Sequence, residues 1–366
     1  MKIVDIRTTG VAVPAPASDT ALGHFDTYNY AIVEVLTDEG VTGLGEISTL
    51  WDGDATVQRA IVEAQFKHTL RGCDPRDINA CLVRMATLVE SMCPARAGIE
   101  MALFDILGKS LGVPVYRLLG GRVRDRIALS RSVFYRADVA QMVNDAVEHV
   151  RDGFTCLKVK IGRPQLKDDV RAVSSIREAV GDTIQLRVDA NMGWKTPKDA
   201  VRAIKALEPY GLHSVEQPLP RGPVAQLRYV RDAVDVPIMA DESVWGPDEA
   251  LELLVANAVD YLNVYVAESG GLTNSSLIIR MAELAGVPCV IGAMPELGIG
   301  TAAAIHLAAS VPNIGAPCDA SGAMYQTDDV VEPWMQVSNG YVSVPEGDGL
   351  GITLNRDALA RLTTDE

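Results

Sequence analysis

Short apolar segments alternate with stretches of helical pattern from residue 126 onwards, and this alternation limits the fold more than any other feature. The segments "CLKVKIG", "IQLRVDAN" and "VPIMADES" each precede a helical stretch. A buried strand followed by a crossover helix is the repeating unit of parallel α/β proteins. We count eight such strands, the last a short one near 315–320, which is the count of a (β/α)₈ barrel. The pattern predicts an α/β barrel domain over residues 126–339.

The preceding residues follow a different pattern. Residues 1–50 alternate like strands, and "YNYAIVEVLTDEGVTGLGE" indicates a hairpin with a turn at Asp-Glu-Gly. Residues 55–112 are helical in pattern, and "AGIEMALFDILGKSLG" ends at a glycine before Pro114. We therefore predict an α+β domain over residues 1–125, completed by the C-terminal segment 340–366.

The composition limits the partners of the chain. The 366 residues carry a formal charge of −15, which argues against nucleic acid and anionic membranes as partners. The chain contains six cysteines without a CxxC pair, which is typical of reduced thiols in a cytoplasmic protein. No segment has the pattern of a signal peptide or a membrane-spanning helix. We expect a small-molecule partner and a homo-oligomer.

Two lysines stand two positions apart in the apolar segment "TCLKVKIG". In a strand, Lys158 and Lys160 point to the same face, because side chains alternate between faces. One interpretation is an edge strand with two solvated lysines. The alternative is that both lysines face a functional site.

Three acids favour the functional interpretation. Asp189, Glu216 and Asp241 each follow an apolar strand, on three successive strand–helix units. Active sites of barrels lie at the C-terminal ends of the strands, so we expect these carboxylates to converge. Converging carboxylates repel each other unless a cation neutralises them, and ligand sets made only of oxygen favour Mg²⁺. Each acid taken alone is also compatible with a helix N-cap or a surface position.

The order of these motifs resembles the enolase superfamily, and within it the muconate lactonizing enzyme subgroup. The motifs are KxK, DxN, EQP, DES and "SGGLT", together with "GLGE" and "IEMALFDILGKSLGVPVYRLLGG" in the N-terminal part. The resemblance covers essentially the whole chain. It implies an α+β capping domain over a modified (β/α)₇β barrel, and Mg²⁺-assisted removal of the proton α to a carboxylate, which gives an enediolate.

The resemblance also implies roles for individual residues. Asp189, Glu216 and Asp241 become the metal ligands, Lys160 the acid/base, and Lys158 its neighbour. A second cation and a metal close by are expected to lower the pKa of Lys160, so that it acts as a neutral base. Other polar residues of the strand ends become neighbours of the metal or the substrate: Asn191 and Gln217.

One position departs from the family pattern. The subgroup normally has a second lysine on the sixth strand, opposite the first, and here "LNVYVAESGG" places Tyr265 there. A racemase or epimerase needs a proton donor on each face of the substrate. With an ordinary pKa of roughly 10, tyrosine is a poor base but can serve as an acid. We therefore expect Tyr265 either to protonate a leaving group or only to hydrogen-bond it.

Two further side chains are candidates with a structural alternative. Glu296, in "GAMPELGIG", matches an acid often present on the seventh strand of the family, or else caps the next helix. Arg131, on the first barrel strand, either meets a second anionic group of the substrate or faces a helix. The segments 14–29 and 48–54 are expected to cover the site and select the substrate.

The sequence-based prediction is thus a Mg²⁺-dependent enzyme, a lyase or isomerase, acting on a small carboxylate. β-Elimination from a hydroxy or imino acid is the leading interpretation because Tyr265 replaces the second lysine. The alternatives are a racemase, epimerase or cycloisomerase of the same superfamily. A binding protein that retains the scaffold without catalysis is the alternative from a different class.

Overall fold

The computed structural model describes residues 1–50, 54–89 and 91–365. It begins with a three-stranded antiparallel sheet in the order β1-β2-β3. The strands are β1 (Ile3–Thr20), β2 (Gly23–Thr37) and β3 (Thr42–Ser48). The predicted turn joins β2 to β3, with Gly40 at φ +79° and its N–H donating to Thr37. The prediction of a hairpin here is confirmed.

Five helices follow this sheet. They are α1 (Asp54–Ile61), α2 (Lys67–Leu70), α3 (Ile78–Ala86), α4 (Cys93–Leu111) and α5 (Val115–Leu118), with a π-helical turn at Val62–Phe66 between α1 and α2. Of these, α1, α2 and α4 pack against the sheet. The helix α4 lies directly on β3. A Cβ atom at Gly45 would stand 1.7 Å from the carbonyl oxygen of Gly98, so only glycine permits this approach. This contact explains the glycines of the "GLGE" strand.

The second half is built on a parallel sheet in the order β11-β10-β9-β8-β7-β6-β5. Its strands are β5 (Arg131–Val133), β6 (Cys156–Lys160), β7 (Gln185–Asp189), β8 (Ser214–Glu216), β9 (Ile238–Ala240), β10 (Tyr261–Val264) and β11 (Cys289–Ile291), while the short β4 (Arg126–Ala128) precedes them. The alternating helices are α6 (Val139–Arg151), α7 (Leu166–Val180), α8 (Pro197–Leu207), α9 (Val224–Ala233), α10 (Pro247–Val255), α11 (Leu272–Leu284) and α12 (Gly298–Ser310).

The segment 314–319 closes the barrel between β11 and the start of β5. The N–H of Gly315 donates to Cys289 at 2.9 Å, and the N–H of Ser130 donates to Cys318 at 2.8 Å. Parallel bridges join the same segment to both sides. A short 3₁₀ turn at Gly322–Met324 follows. The predicted (β/α)₇β barrel with an α+β capping domain is confirmed.

The C-terminal part forms backbone hydrogen bonds with both the barrel domain and the N-terminal sheet. It contains β12 (Val331–Glu332), β13 (Val337–Ser338), β14 (Tyr341–Ser343), β15 (Thr353–Leu354) and α13 (Arg356–Leu362). β14 pairs with β4 at the beginning of the barrel. Farther on, the N–H of Thr364 donates to Gly10 on β1 at 2.9 Å. The division into 1–125 with 340–366 and 126–339 stays a prediction.

Two buried glutamates join the capping domain to barrel helices. Glu46 at the end of β3 accepts the N–H groups of Leu297 and Gly300 at 2.9 and 2.8 Å, at the N-terminus of α12. Glu100 on α4 accepts the N–H of Thr273 at 3.3 Å, at the N-terminus of α11. Unpaired N–H groups and the helix dipole favour an acid at these ends. These contacts hold the capping sheet over the barrel. No helix of the described residues is long and apolar enough to cross a membrane.

Candidate active site

The candidate catalytic side chains lie together at the C-terminal ends of the barrel strands. Parallel pairing places Lys160 beside Asp189, and Asp189 beside Glu216. Asp241 and Tyr265 directly follow β9 and β10. All are buried, because the capping domain covers this end of the barrel. The buried set comprises Lys158, Lys160, Asp189, Glu216, Asp241 and Tyr265.

The three acids converge as the sequence predicts. Asp189, Glu216 and Asp241 offer carboxylate oxygens that all lie within 4.8 Å of one another. Burial, together with the neighbouring Glu242 and Glu216, raises the pKa of Asp241 well above its usual range. Burial also opposes ionisation of Glu216, but Lys158 and Arg187 lower its pKa overall. Three buried carboxylates at this spacing form an oxygen-only set of ligand atoms that fits a divalent cation.

The two lysines are engaged with different acids. Lys160 Nζ lies 2.6 Å from Asp189 Oδ2 and 2.9 Å from Asn191 Oδ1. Lys158 Nζ lies 2.7 Å from Asp319 Oδ2 and 3.1 Å from Glu216 Oε1. Neither lysine is solvated, so the interpretation as an exposed edge strand is wrong.

The pKa of Lys160 differs in direction from the sequence-based expectation. Burial lowers it, but the Asp189 carboxylate outweighs burial and the neighbouring Lys158, so the pKa lies above its usual value. The expectation of a lowered pKa counted the cations around Lys160. It took no account of the Asp189 carboxylate, which in this arrangement acts directly on the ammonium group.

Tyr265 lies across the barrel mouth from Lys160. The sheet order places β10 four strands from β6, which is half the circumference of an eight-stranded barrel. The Tyr265 hydroxyl donates to Asp241 Oδ2 at 3.1 Å and accepts from Asn263 Nδ2 at 3.3 Å. Burial and the Asp241 carboxylate raise the pKa of Tyr265 well above its usual value. The phenol therefore keeps its proton, as an acid or a hydrogen-bond donor does.

Two polar residues at the strand ends hold their neighbours in place. Gln217 Oε1 accepts the N–H groups of Asp241 and Ser243 at 3.0 and 3.2 Å, which fixes the backbone of the acid. Asn191 accepts from Lys160 and donates to Glu242 Oε1 at 3.1 Å. Both residues have positive φ angles, 31° for Gln217 and 40° for Asn191. Gln217 thus supports the loop that follows β9, while Asn191 also lines the cavity.

Arg131 does not face the cavity, which corrects the expectation that it meets a second anionic group. Its guanidinium donates to the Met324 carbonyl at 3.0 Å and lies 4.7 Å from the centre of the Tyr325 ring. The reason is strand alternation, since the neighbouring Ser132 points inward and lines the cavity. Arg131 therefore supports the cavity wall from outside.

Glu296 does not cap the helix that follows it. Its Oε1 accepts the N–H of Met294 at 3.0 Å, while Glu46 and Asp329 accept the N–H groups at the start of α12. Burial raises the pKa of Glu296 well above its usual range. The capping alternative is wrong because an acid from the other domain already occupies that end. A catalytic or binding role of Glu296 stays a prediction.

The sequence does not identify every buried residue of the site, and Asp319 and Arg187 are two that it leaves out. Asp319, at the end of the closing segment, lines the cavity and pairs with Lys158. Arg187, two residues before Asp189, lies 2.6 Å from Glu216 and 3.2 Å from Asp319. Asp319 follows the apolar run "GAPC", so the rule that identified the other acids would have identified it too. Arg187 carries no such signal, because an arginine within a strand is usually solvated.

A cavity lies between the catalytic side chains and the capping domain. Its volume is about 100 Å³. The predicted covering segments contribute Ser18, Thr20, Leu22, Phe25 and Tyr28 from 14–29, and Leu50 from 48–54. Residues 51–53 lie outside the described residues. The tip of the first hairpin is attached to the barrel, since Tyr135 N–H donates to Asp19 at 3.0 Å.

A (β/α)₇β barrel with three converging acids and a buried lysine pair under an α+β cap defines a class of barrel enzymes. The chain belongs to the enolase superfamily, in its muconate lactonizing enzyme subgroup. Residues 3–120 match the model of the mandelate racemase / muconate lactonizing enzyme N-terminal domain, and residues 141–358 match the enolase C-terminal domain-like model.

Relatives with named activities are isomerases. The chain is 36% identical over 359 residues to the L-Ala-D/L-Glu epimerase of Bacillus subtilis, covering 96% of this chain and 97% of the relative. The muconate lactonizing enzyme of Pseudomonas fluorescens, solved with muconolactone, shares 28% identity and a TM-score of 0.96, with 99% of each chain covered. A dipeptide epimerase of Enterococcus faecalis, solved with Mg and L-Leu-L-Tyr, shares 34% identity and a TM-score of 0.91, over 96% of this chain and 100% of that one. The chain is an enzyme of this superfamily.

Proposed function

We propose that this enzyme abstracts the proton α to the carboxylate of a small substrate, with Mg²⁺ as cofactor, and that β-elimination follows. The observation that carries the proposal is the pair across the mouth, with a lysine on one side and a tyrosine on the other. A dehydratase needs one base and an acid for the leaving group. The pair Lys160 and Tyr265 matches that requirement.

Lys160 is the base of the proposed reaction. Its ammonium group lies at the cavity wall beside Asp189 and Asn191, which hold Nζ in one position. The Asp189 carboxylate that keeps Lys160 protonated would be neutralised by a divalent cation, so that the amine could release its proton and serve as the fixed base that general base catalysis requires. Lys158 lies beside it at the cavity wall and offers a positive charge to the substrate carboxylate.

Asp189, Glu216 and Asp241 would hold Mg²⁺, because their oxygens lie close together and are buried. When bound there, Mg²⁺ acts as a Lewis acid for the negative charge that develops on the substrate carboxylate. Gln217 keeps Asp241 in place, and Arg187 keeps Glu216 in place, so the three carboxylates need little rearrangement.

Tyr265 supplies the proton to the leaving group. Its high pKa keeps the phenol protonated, and departing hydroxide is a stronger base than a phenolate. Elimination then breaks the bond between Cβ and oxygen while the electron pair of the former Cα–H bond forms the double bond. The hydroxide leaves as water with the proton from Tyr265.

Epimerisation or racemisation is the second candidate, and the names of the relatives favour it. An L-Ala-D/L-Glu epimerase at 36% identity carries out stereochemical inversion according to its name. Inversion needs a proton donor on the face opposite Lys160, where this chain has Tyr265. Cycloisomerisation needs only one proton transfer and is compatible with the same pair.

Solvent deuterium exchange tests the proposal. The Mg²⁺-loaded enzyme is incubated in D₂O with a set of small 2-substituted carboxylates, in both enantiomers, and deuterium at Cα and loss of the β-substituent are followed by NMR. We expect exchange from one enantiomer and product formation from substrates with a β-hydroxyl group. Exchange from both enantiomers without elimination would favour epimerisation, and absence of any exchange would refute the proposal.

A cytoplasmic location and a homo-oligomer complete the proposal. All six cysteines lie in the described part of the chain and none forms a disulfide, which supports a reducing compartment. Fractionation and light scattering test these two points.

A further inference from the structure

We infer that the substrate of this site carries a single carboxylate and that its remainder is uncharged and largely apolar. The inference rests on the proposed function for the position of the reacting carboxylate. It adds the chemical class of the remainder, which the lining of the cavity determines.

The cavity has two chemically different sides. The charged lining residues lie on β6, directly after β9, in the loop after β10, and at the end of the closing segment. The other side combines the tip of the first hairpin, the segments that follow β3, β5 and β11, and the residue after the 3₁₀ turn. Among the described residues that line this second side, none is charged. Its main members are Phe25, Tyr28, Leu50, Phe134, Met294 and Tyr325.

The aromatic rings of this side are fixed by their own contacts. Phe134 meets Tyr325 edge to face at a centroid distance of 5.8 Å, and Phe25 stacks on Tyr28 at 6.1 Å. The Tyr325 hydroxyl donates to Ser132 Oγ at 3.1 Å. Such rings present apolar surface without rearrangement, so an apolar group binds them at low entropic cost.

The two arginines near this second side of the cavity bind other groups of the protein. Arg131 lies behind Tyr325 and donates to Met324, and Arg136 binds Asp145 at 2.9 Å and the Ala17 carbonyl at 3.3 Å. Neither side chain lines the cavity. A second carboxylate on the substrate would therefore be buried without a partner.

A distant ammonium group on the substrate would also find no carboxylate on this second side of the cavity. The carboxylates that line the cavity, such as Asp319 and Asp241, belong to the reacting side. Burying an unpaired charge of either sign is costly, whereas the hydroxyl groups of Ser18, Thr20 and Ser132 accommodate a neutral polar atom. The lining thus selects against charge at the far end of the substrate.

Three probes test binding in the absence of any reaction. None of them has a proton on a carbon next to a carboxylate, so the enzyme cannot turn them over. They are 2,2-dimethylpentanoate, the dicarboxylate 2,2,4,4-tetramethylpentanedioate, and 5-amino-2,2-dimethylpentanoate. Their dissociation constants from the Mg²⁺-loaded wild-type enzyme are measured by ligand-observed NMR. We expect the neutral chain to bind roughly 100-fold more tightly than either charged one.

A substitution in the hairpin tip provides the reverse test. Leu22 lines the cavity and is only partly buried, so Leu22→Arg leaves the core intact. We expect this variant to bind the dicarboxylate at least about tenfold more tightly than wild type does. Leu251→Arg is the matched control, since Leu251 lies on α10 and is 51% exposed.

Each outcome decides the inference. Equal or tighter binding of either charged probe by the wild-type enzyme would overturn it, and so would failure of all three probes to bind. Failure of the proposed function is a separate result, because it shows as absence of deuterium exchange with reactive carboxylates. Selective binding of the neutral probe with Leu22→Arg shifting the preference would support the inference.

Discussion

The hydroxyl of Tyr265 donates to Asp241 Oδ2 at 3.1 Å, which links the residue opposite Lys160 to one of the three converging acids. Both side chains are buried and come from neighbouring strands, β10 and β9. The ring also packs on Gly292, where a Cβ atom would stand 2.4 Å from it. The position of this phenol is thus fixed from two sides.

Tyr265→Phe should slow elimination more than α-proton exchange. The substitution removes the proton for the leaving group but leaves Lys160 and the ring packing unchanged. General acid catalysis is worth roughly 100-fold or more, and we expect a loss of this size in product formation with exchange reduced far less. NMR in D₂O measures both rates in one sample.

Tyr265→Lys provides the complementary comparison. A lysine at this position supplies a second base, so exchange should extend to the second enantiomer of a substrate.

Equal losses of exchange and elimination in Tyr265→Phe would contradict the assigned role.

Lys160→Ala should abolish α-proton exchange, by at least about 1,000-fold, while the fold is retained. Lys160 is the group that we propose to remove the proton, and no other lysine besides Lys158 lines the described cavity. Lys167→Ala serves as the control because Lys167 is exposed on α7. Wild-type exchange in Lys160→Ala would show that another group is the base.

Asp241→Asn should weaken Mg²⁺ binding by roughly tenfold or more, because one of three anionic oxygens is replaced by a neutral one. Calorimetric titration with Mg²⁺ measures this directly, without a substrate. Asp248→Asn changes an exposed aspartate at the start of α10 and should leave the affinity unchanged. Chelation by EDTA should stop exchange in the wild-type enzyme, and added Mg²⁺ should restore it. Unchanged Mg²⁺ affinity in Asp241→Asn would place the metal elsewhere.

Glu46→Ala should lower the free energy of unfolding by about 2–4 kcal/mol. The carboxylate accepts two N–H groups at the start of α12, and its loss leaves buried donors unpaired. Urea unfolding measures the change, with Glu178→Ala as control because Glu178 is exposed on α7. Equal stabilities of the two variants would show that the contact between the domains does not depend on Glu46.

His306 should make the protein less stable in acid. Burial lowers its pKa to about 4 from the ordinary 6.5, and its Nδ1 accepts the N–H of Tyr116 at 3.3 Å. Between these two pH values the unfolded chain binds a proton that the folded chain does not, so the free energy of unfolding falls as the pH falls. The loss from this group amounts to roughly 3 kcal/mol in total and is complete near pH 4.

The variant His306→Gln isolates this contribution. It does not titrate in this range, so the difference in stability between wild type and variant should shrink as the pH falls from 6.5 to 4. Urea unfolding at a series of pH values gives this difference. A difference that stays constant would show that the pKa of His306 is not lowered in the folded state.

The barrel could be predicted from the regular alternation of strands and helices, and its three acids from their position directly after an apolar strand. An apolar strand followed by an acid marks Asp189, Glu216 and Asp241, and the parallel order brings them together without any further information. The same rule, applied to the last strand, would have added Asp319. These features depend on local sequence and on the general architecture of barrels.

Other features depend on contacts between distant segments, which a single sequence does not reveal. The N-terminus of α12 is capped by Glu46, which is 251 positions from Leu297, rather than by the adjacent Glu296. Arg131 faces outward because Ser132 takes the inward position. The sequence pattern of this short strand shows neither where the strand ends nor which of the two residues faces inward. The ionisation of Lys160 depends in turn on the summed charges around it.

The bond between Thr364 and Gly10 has a consequence for the synthesis of this chain. The Thr363 hydroxyl reaches the same carbonyl of Gly10 across 353 positions, and the bridge from Val11 to Thr363 covers the outer side of β1. On the ribosome, the edge of β1 at Gly10 and Val11 therefore stays open while the whole barrel is translated, although Ile3 already pairs with residues 72 and 73. An open edge recruits strands from other molecules. In nascent copies on one messenger, this short stretch of β1 is thus available for pairing with other molecules until residues 363 and 364 arrive.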